Sequence, residues 1–354
     1  MENSPCHDLF VELTSKCNLR CIHCYNSSGI ERHKLKLDLI KKTLADSQEL
    51  GTNVVQFTGG ETMLYQGLIE LLELANELGY AETWIITNGT VFKKEILEKC
   101  RDLSVKLQIS LDGGTAETND ELRGKGVFNR VLNFLELLNE FDLNRSAQIR
   151  CTVSRNNLDS TEHLIQVGLR YDIPKIHFSW AKYEGRARDD NTYSDIQFAP
   201  TEVQHAINHT AELMTKYQNE IEVSRLRAHR NQCPIYRDAV PCGSLRIAYD
   251  GRVFPCQGLV KEGHELGDLN HEDLPDIVTD SRLKALSNKL NAEFQACRRC
   301  AFKSICPGGC PSLGEYIIEE QPENFDAFCT ARRISFRDDL FRSRGLPEPQ
   351  MAVQ

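Results

Sequence analysis

The sequence predicts an α/β protein in which an open barrel of parallel strands precedes a small cysteine-rich domain. Short apolar runs alternate with longer segments of helical apolar spacing through the first half of the chain, as in parallel α/β units. Six such units fit into about 180 residues, whereas a closed eight-unit barrel takes about 250. Beyond residue 231 the pattern changes to short segments with Gly, Pro and many Cys. We therefore expect a partial (β/α)6 barrel followed by a second, metal-stabilised unit.

Each expected strand is a short run rich in apolar and β-branched residues. The six strands are Leu9–Leu13, Asn53–Phe57, Thr83–Thr87, Lys106–Ser110, Gln148–Val153 and Lys175–Ser179. Apolar residues at i, i+3 and i+4 predict helices over Leu37–Leu50, Leu64–Leu78 and Val127–Phe141. The polar stretch Tyr183–Ser194 predicts an exposed connection, and one more helix is expected over Thr201–Gln218.

These patterns divide the chain into four parts. We expect the barrel core over residues 1–195, a bridging helix and linker over 196–230, a cysteine-rich domain over 231–335 and a tail over 336–354. Apolar periodicity in the cysteine-rich part is too weak to predict a conventional core. Metal binding can replace such a core, because the free energy of binding is then also free energy of folding.

Composition and charge exclude several classes of partner. The 354 residues are 40% hydrophobic and 26% charged, and 42 Lys and Arg against 51 Asp and Glu give a net charge of -9. An acidic surface attracts neither nucleic acid nor an anionic membrane. No apolar run reaches the roughly 20 residues of a membrane span, and residues 1–9 do not form a signal peptide. We expect a cytoplasmic protein.

Cytoplasmic thiols are kept reduced, so the 14 Cys of this chain indicate metal or redox chemistry. Cys17, Cys21 and Cys24 follow the first expected strand with the spacing C-x3-C-x2-C. This is the end of the strand at which α/β folds bind ligands. Three thiolates on one loop can hold three irons of a [4Fe–4S] cube and leave the fourth iron open. The alternative is a zinc-binding loop.

With this triplet on six α/β units, the sequence resembles the radical SAM superfamily from Phe10 to about Trp180. The resemblance implies a [4Fe–4S] cluster on Cys17, Cys21 and Cys24, with S-adenosylmethionine on its open iron. Reductive cleavage of that cofactor to a 5′-deoxyadenosyl radical is the activity that it implies.

Further positions match the cofactor-binding pattern of this superfamily. Thr58-Gly59-Gly60-Glu61 is similar to the element that holds the cofactor's amino group, and Arg123 is similar to the arginine that pairs with its carboxylate. The ribose- and nucleoside-binding positions that the resemblance implies are Ser110, Asp112, Asn88 and Thr152, with His23 where an aromatic usually stands. An imidazole is planar and can stack on adenine.

The C-terminal part contains a second cysteine series, Cys242-x13-Cys256, then Cys297-x2-Cys300-x5-Cys306-x3-Cys310, then Cys329. This order resembles the SPASM domain, the auxiliary iron–sulfur module of a radical SAM subgroup. The resemblance implies a near cube on Cys242, Cys256 and Cys310 and a far cube on Cys297, Cys300, Cys306 and Cys329. Cys233 is the candidate fourth ligand of the near cube; without it, that cube has an open iron for substrate. A plain zinc ribbon is the alternative.

The predicted function is oxidative modification of a ribosomally made peptide, because relatives with two auxiliary cubes mostly modify peptides and proteins. Sulfatase maturation ranks lower, since Gln257 stands where those enzymes carry a proton-accepting aspartate. Three alternatives stay open: action on a small molecule or tetrapyrrole side chain, which Gly185-Arg186-Ala187 weakly favours; epimerisation of a peptide; and a non-catalytic iron–sulfur electron carrier.

The expected partners follow from the same resemblance. They are a peptide substrate and a reductant of the flavodoxin or ferredoxin type. Because few residues precede the first strand, we expect a separate leader-binding protein or the core itself to hold any leader. The sequence identifies no catalytic general base. Cys100 and Cys151 lie in a predicted helix and strand, so we expect them to be small buried apolar residues.

Overall fold

A computed structural model describes most of the barrel and part of the cysteine-rich segment. The described residues are 6–30, 32–182, 184–188, 196–227, 243–260, 262–293, 300–302, 304, 306, 329, 331–334 and 336–337. Outside them lie most of the predicted connection, most of the tail, and Cys233, Cys242, Cys297 and Cys310. None of the helices in this part of the chain has the length and apolar character of a membrane span.

The described residues form one ten-stranded sheet, in the order β10-β9-β8-β1-β2-β3-β4-β5-β6-β7. Strands β1 to β7 and β8 pair in parallel, and only β9 and β10 are antiparallel to their neighbours. The strands are β1 Cys6–Glu12, β2 Val54–Thr58, β3 Glu82–Thr87, β4 Lys106–Ser110, β5 Ala147–Val153, β6 Lys175–Trp180, β7 Glu222–Ser224, β8 Gly243–Ile247, β9 Arg252–Phe254 and β10 Gly267–Asp268.

Helices follow the strands of the barrel and cover its outside. They are α1 Leu37–Glu49, α2 Leu68–Glu77, α3 Lys94–Asp102, α4 Ala116–Arg123, α5 Val127–Glu140, α6 Thr161–Arg170, α7 Pro200–Lys216, α8 Leu274–Ile277 and α9 Asp280–Glu293. The apolar faces of these helices, except that of α4, form one hydrophobic cluster with the outer face of the sheet, whereas Leu122 of α4 packs in a second small cluster with Ala187 and Ile196. This is the mixed α/β architecture with an unclosed parallel sheet that the sequence predicts.

The expected strands agree with the observed ones within a few residues, but one helix begins later than expected. The prediction of Leu64–Leu78 was wrong at its start, because Thr62–Leu64 forms a separate 3-10 turn and α2 begins at Leu68. The Glu61 carboxylate accepts a hydrogen bond from the Met63 N–H at 3.0 Å and holds this turn tight. The extended backbone at Tyr65 then interrupts the helical pattern.

The sequence did not predict that the C-terminal segment extends the sheet. Strand β8 pairs with β1, with Leu9 opposite Leu245 and Val11 opposite Ile247. Leu245, Ile247 and Val253 are buried in the main hydrophobic cluster. The expectation that this part lacks a conventional core was therefore wrong for residues 243–293, because its short strands and helices complete the core of the barrel.

Apolar and polar side chains alternate along the strands, so the sheet has a packed apolar outer face and a polar inner face. In β5, Ile149 and Cys151 are fully buried in the core, whereas Arg150 and Thr152, at the alternate positions, line a cavity. Strand β4 repeats the pattern, with Ile109 in the core and Ser110 at the cavity. Because successive side chains of a strand point to opposite faces, polar residues at alternate positions build a polar lumen.

A buried ion pair joins β1 to β8 at the edge of this lumen. Glu12 Oε1 lies 2.7 Å from Arg246 Nη2, and the two side chains are 0% and 4% exposed. Tyr25 and Asn26, just after the cysteine triplet, donate to the same oxygen at 3.1 and 3.2 Å. The Arg246 guanidinium also lies 5.3 Å from the centre of the Tyr25 ring. One carboxylate thus holds the C-terminal segment, the first strand and the cysteine loop together.

Replacing Arg246 with Met should destabilise the protein strongly, because the Glu12 carboxylate would stay buried without its cationic partner. We expect the free energy of unfolding to fall by about 3–5 kcal/mol, measured by urea denaturation of anaerobically purified protein. Lys216→Met is the matched control, since its pair with Glu162 is exposed and such pairs contribute about 0–1 kcal/mol. Equal effects of the two substitutions would contradict this assignment.

Candidate active site

A cavity of about 180 Å³ opens at the carboxyl ends of the barrel strands. Its lining includes Thr58, Thr87, Ser110 and Trp180, which are the last residues of β2, β3, β4 and β6. Parallel strands present their carboxyl ends at the same edge, and α/β folds bind ligands there. All three cysteines of the first triplet line this cavity.

The cysteine loop, defined as residues 17–29, has little regular structure, so arginine side chains from within the loop and from elsewhere bind its backbone carbonyl groups. Arg20 donates to the carbonyl groups of Cys17 and Leu19 at 3.1 and 2.8 Å, and also to that of Gly29. Arg186 donates to the carbonyl group of Cys21 at 2.8 Å. Each of these carbonyl groups meets a charged donor, which fixes the loop without a helix or strand.

The segment that carries Arg186 packs directly on the cysteine loop. Gly185–Arg188 forms a 3-10 turn, and the Arg186 N–H donates to the Cys24 carbonyl at 2.9 Å. A Cβ atom on Gly185 would lie 2.3 Å from that same carbonyl oxygen. Ala187 is fully buried. The prediction of an exposed connection was therefore wrong for this turn, because the close approach to the loop buries it.

Two of the three thiols, those of Cys17 and Cys21, sit in an environment that disfavours the free thiolate. Burial raises the pKa of Cys17, and it raises the pKa of Cys21 to about 11. Among the described residues, no three His, Cys, Asp or Glu side chains could hold one metal ion. Because the thiolate is the form of cysteine that binds metal, bound metal would have to offset the cost of charging the buried Cys17 and Cys21 sulfurs.

Gly59 and Gly60 pack against the residues that precede Cys17. A Cβ atom on Gly59 would lie 2.5 Å from the Thr14 carbonyl oxygen, and one on Gly60 would lie 2.3 Å from that of Lys16. The Gly60 N–H donates a hydrogen bond to the Thr14 carbonyl oxygen at 2.6 Å. Both glycines also line the cavity. Their lack of a side chain is needed by the loop itself, in addition to the ligand approach that the sequence predicts.

Glu61 is fully buried and ties two strand ends together. Its carboxylate accepts hydrogen bonds from Met63 N–H at 3.0 Å, Thr87 Oγ1 at 2.7 Å and Asn88 N–H at 2.8 Å. Burial raises its pKa. Most of the acceptor capacity of this carboxylate is therefore used by the chain's own donors. Binding of the cofactor's amino group to Glu61 stays a prediction.

Asp112 lies beneath the cavity and pairs with two of the other predicted cofactor-binding residues. Its Oδ2 is 2.6 Å from Arg123 Nε and 3.1 Å from His23 Nε2. Burial opposes ionisation, but Arg123 and His23 outweigh it and hold the pKa of Asp112 well below its usual range. Asp112 also accepts from the Thr152 N–H at 2.7 Å. Arg123 and His23 line the cavity while Asp112 does not, so Asp112 positions them from below.

The remaining predicted contacts, Ser110, Asn88 and Thr152, also line the cavity. Asn88 Nδ2 lies 3.0 Å from Asn18 Oδ1 and 3.8 Å from Cys17 Sγ. A side-chain amide this close to a cysteine sulfur stabilises negative charge on it. The structure thus brings the thiols and the predicted cofactor contacts to one cavity, with Glu61 and Asp112 as supports behind its wall.

Within the described chain, the segment that contains the second cysteine series contributes one residue to the lining of this cavity, and that residue is not a cysteine. Gln257, directly after Cys256, lines the cavity together with the first triplet. Cys256 is half-buried and its Sγ accepts from the Leu259 N–H at 3.2 Å. Cys300, Cys306 and Cys329 are also described, but neither predicted cube has all its ligands among the described residues.

Sequence reasoning missed several residues that support or line this site. They are Glu12, Arg20, Arg150, Lys182, Arg186 and Arg246. The motif Gly185-Arg186-Ala187 pointed to Arg186 only weakly, as an indication of a small-molecule or tetrapyrrole substrate. Its contacts give it a role in holding the cysteine loop. Glu12 and Arg246 are charged residues within short strands, and a charge placed in a buried strand is a signal of a buried partner.

Two families match this chain. The Radical SAM superfamily matches residues 11–167, and an iron–sulfur cluster-binding domain, SPASM, matches residues 239–301. The chain belongs to the radical SAM superfamily. Its cofactors are iron–sulfur clusters and S-adenosylmethionine, and the cavity that joins the cysteine triplet to Gln257 lies where the two matched regions meet.

The names of similar proteins indicate different substrates. An AdoMet-dependent heme synthase of Methanosarcina barkeri is 25% identical over 90% of this chain and 96% of its own length. A PqqA peptide cyclase of Rhodopseudomonas palustris is 26% identical over 85% of this chain and 81% of its own. Streptococcus suis SuiB bound to S-adenosylmethionine has the same fold, with a TM-score of 0.72 and 19% identity over 92% of this chain and 77% of SuiB.

Gly60→Ala should displace the cysteine loop, because the new methyl group would meet the backbone of Lys16. We expect a destabilisation of about 1–3 kcal/mol, typical of overpacking, together with weaker S-adenosylmethionine binding in equilibrium dialysis. Gly79→Ala is the control for cofactor binding: its positive φ strains an alanine, but nothing lies within 4 Å of its Cβ position, so it should bind S-adenosylmethionine as the wild type does. Normal cofactor binding by Gly60→Ala would contradict the close packing of the turn on the loop.

Proposed function

We propose that this chain is a radical SAM enzyme that oxidatively modifies a ribosomally made peptide. The observation that carries the proposal is one cavity lined by Cys17, Cys21 and Cys24 on one side and by Gln257 of the second cysteine segment on another. A substrate in that cavity would lie between the first cluster site and the auxiliary cluster domain. That placement suits a reaction in which electrons leave the substrate.

The cysteine triplet and the residues around it fit the cofactors of the superfamily. An iron–sulfur cluster with an open iron and S-adenosylmethionine together supply a radical that removes hydrogen from an unactivated carbon. Gly59 and Gly60 bring backbone close to the cofactor, and Arg123, oriented by Asp112, offers a fork that matches a carboxylate.

We assign the auxiliary sites as the sequence predicts, with three [4Fe–4S] clusters in all. One cube would use Cys297, Cys300, Cys306 and Cys329, and the other Cys242, Cys256 and Cys310 with Cys233 as its candidate fourth ligand. Gln257 cannot accept a proton as a carboxylate does, so the substrate here needs no proton acceptor at this position. This favours peptide modification other than sulfatase maturation.

A peptide substrate is supported by the likeness to the PqqA peptide cyclase along most of both chains. The second candidate is oxidation of a tetrapyrrole side chain, which the likeness to the AdoMet-dependent heme synthase favours over 90% of this chain. A reductant of the flavodoxin or ferredoxin type, and a separate leader-binding protein for a peptide with a leader, belong to the first proposal.

Substituting all three cysteines of the first triplet with Ala tests the enzyme class. Three cubes imply about 12 irons per chain, so the variant should lose roughly a third of its iron after anaerobic reconstitution. It should form no 5′-deoxyadenosine with dithionite and S-adenosylmethionine, measured by liquid chromatography and mass spectrometry. Cys100→Ala, which removes a buried thiol of α3, is the control and should keep both. Cofactor cleavage that survives in the triple variant would rule out the first assignment.

Replacing Cys306 with Ala tests the electron-relay role of the auxiliary clusters. The variant should still form 5′-deoxyadenosine, because the first triplet is untouched, while oxidised product falls sharply. The assay uses a precursor peptide that the wild-type enzyme is first found to modify. Circular dichroism and limited proteolysis verify folding, since cysteine-rich domains depend on their metal. Full product from a folded variant that lacks one cube would remove the relay role.

A further inference from the structure

Two buried asparagines hold the backbone of Asp112 in place. The Asp112 N–H donates to Asn119 Oδ1 of α4 at 3.0 Å, and the Asp112 carbonyl accepts from Asn157 Nδ2 at 2.7 Å. Asn119 and Asn157 are 0% and 1% exposed. The residue that they hold is the one whose carboxylate pairs with Arg123 and His23 at the cavity wall.

Asn157 joins β4 to β5 beyond the end of their ladder. The paired residues of the two strands end with Ser110 opposite Arg150. Asp112 and Thr152 lie beyond that pair, so their backbone groups need other partners. The Thr152 N–H donates to Asp112 Oδ1 at 2.7 Å, and the Thr152 carbonyl accepts from Asn157 Nδ2 at 2.9 Å. One side-chain amide therefore binds the carbonyl groups at both strand ends.

The Asn157 amide can make these contacts in one orientation only. Its Nδ2 donates to the carbonyl groups of Asp112 and Thr152, while its Oδ1 accepts from the Ser154 N–H at 2.8 Å. Turning the amide by 180° would face its oxygen toward two carbonyl groups. A side-chain amide offers two donors and one acceptor oxygen, so asparagine matches this set, whereas serine retains one donor and alanine retains none.

Helix α4 supports Asp112 at two positions one turn apart. Asn119 binds the Asp112 N–H, and Arg123, four residues later, places Nε 2.6 Å from Asp112 Oδ2. Residues i and i+4 lie on the same face of a helix. Because Asp112 contacts Nε, the edge with Nη1 and Nη2 is the edge of the guanidinium that can meet a second carboxylate. A shift of Asp112 would therefore turn that edge.

We propose that Asn157 is a positioning residue for S-adenosylmethionine, because it fixes Asp112 and thereby orients Arg123 toward the carboxylate of the cofactor. Asn119 has the same role from α4. Arg123 lines the cavity, whereas Asn157 does not, so Asn157 acts through Asp112 and Arg123 and not by contact. A guanidinium and a carboxylate pair well only when their planes are aligned. This inference goes beyond the proposed function, since it concerns the cofactor and no step on a peptide.

The test compares two ligands that differ by one carboxylate. Binding of S-adenosylmethionine and of decarboxylated S-adenosylmethionine to anaerobically reconstituted protein is measured by equilibrium dialysis, and the ratio of the two dissociation constants is the carboxylate preference. A partly unfolded or partly loaded sample loses binding capacity for both ligands alike, so this ratio does not report stability. Arg123→Gln should lower the preference by about tenfold, the equivalent of 1.4 kcal/mol.

Variants of the asparagines then locate the effect. Asn157→Ala should lower the preference by about threefold or more, as for the loss of one typical hydrogen bond, and Asn157→Ser should lower it less. Asn119→Ala should lower it as well. Because residues of one network are not additive, Asn157→Ala combined with Arg123→Gln should show the preference of Arg123→Gln alone. Asn144→Ala is the matched control, since Asn144 is a buried asparagine before the amino end of β5, away from the cavity.

Each outcome decides the inference. A preference that Asn157→Ala lowers and the double variant lowers no further than Arg123→Gln supports it. An unchanged preference in Asn157→Ala, or a double variant whose effect is the product of the two single effects, overturns it. A preference that Arg123→Gln leaves unchanged also overturns it, because Asn157 would then have no contact to act through. Where Asn157→Ala does not fold, Asn157→Ser and Asn119→Ala are judged by the same criteria. Oxidised peptide formed by the wild type tests the proposed function separately.

Discussion

The buried pair of Glu12 and Arg246 is the interaction on which the rest of this site depends. Two charges removed from water are costly, and the pair persists because further groups bind the same carboxylate. Those groups are Tyr25 and Asn26, on the loop that carries the cysteine triplet. A single carboxylate therefore sets the distance between the first strand, the cysteine loop and β8 of the C-terminal segment.

Charged side chains, and not backbone ladders, hold the cysteine loop in place. The loop that presents the three sulfurs to the cavity forms neither a helix nor a strand, so its carbonyl groups need side-chain partners. Arg20 and Arg186 supply them, while Gly59 and Gly60 allow the neighbouring turn to pack against the residues before Cys17. The contacts that order the loop are thus made by the protein's own side chains and backbone.

Basic side chains hold the wall of the cavity together. Arg123 pairs with the buried Asp112, and Arg186 donates to the backbone of the cysteine loop. Arg150 and Lys182 line the same cavity, on the inner face of β5 and after the end of β6. The wall around the cysteine triplet is therefore rich in basic side chains, although the chain as a whole is acidic.

The sequence by itself determined the α/β class, the strand positions and the cysteine triplet, because alternation and ligand spacing are local patterns. Gly59, Gly60 and Arg123 were likewise found by their place after successive strands, and they line the cavity. Only the tertiary structure decided the partners of Glu12, Arg246 and Arg186. Contacts between residues more than 150 positions apart leave no local pattern. The same reason hid the C-terminal core: β8 is a short strand whose burial follows from pairing with β1, which no periodicity within its own five residues can encode.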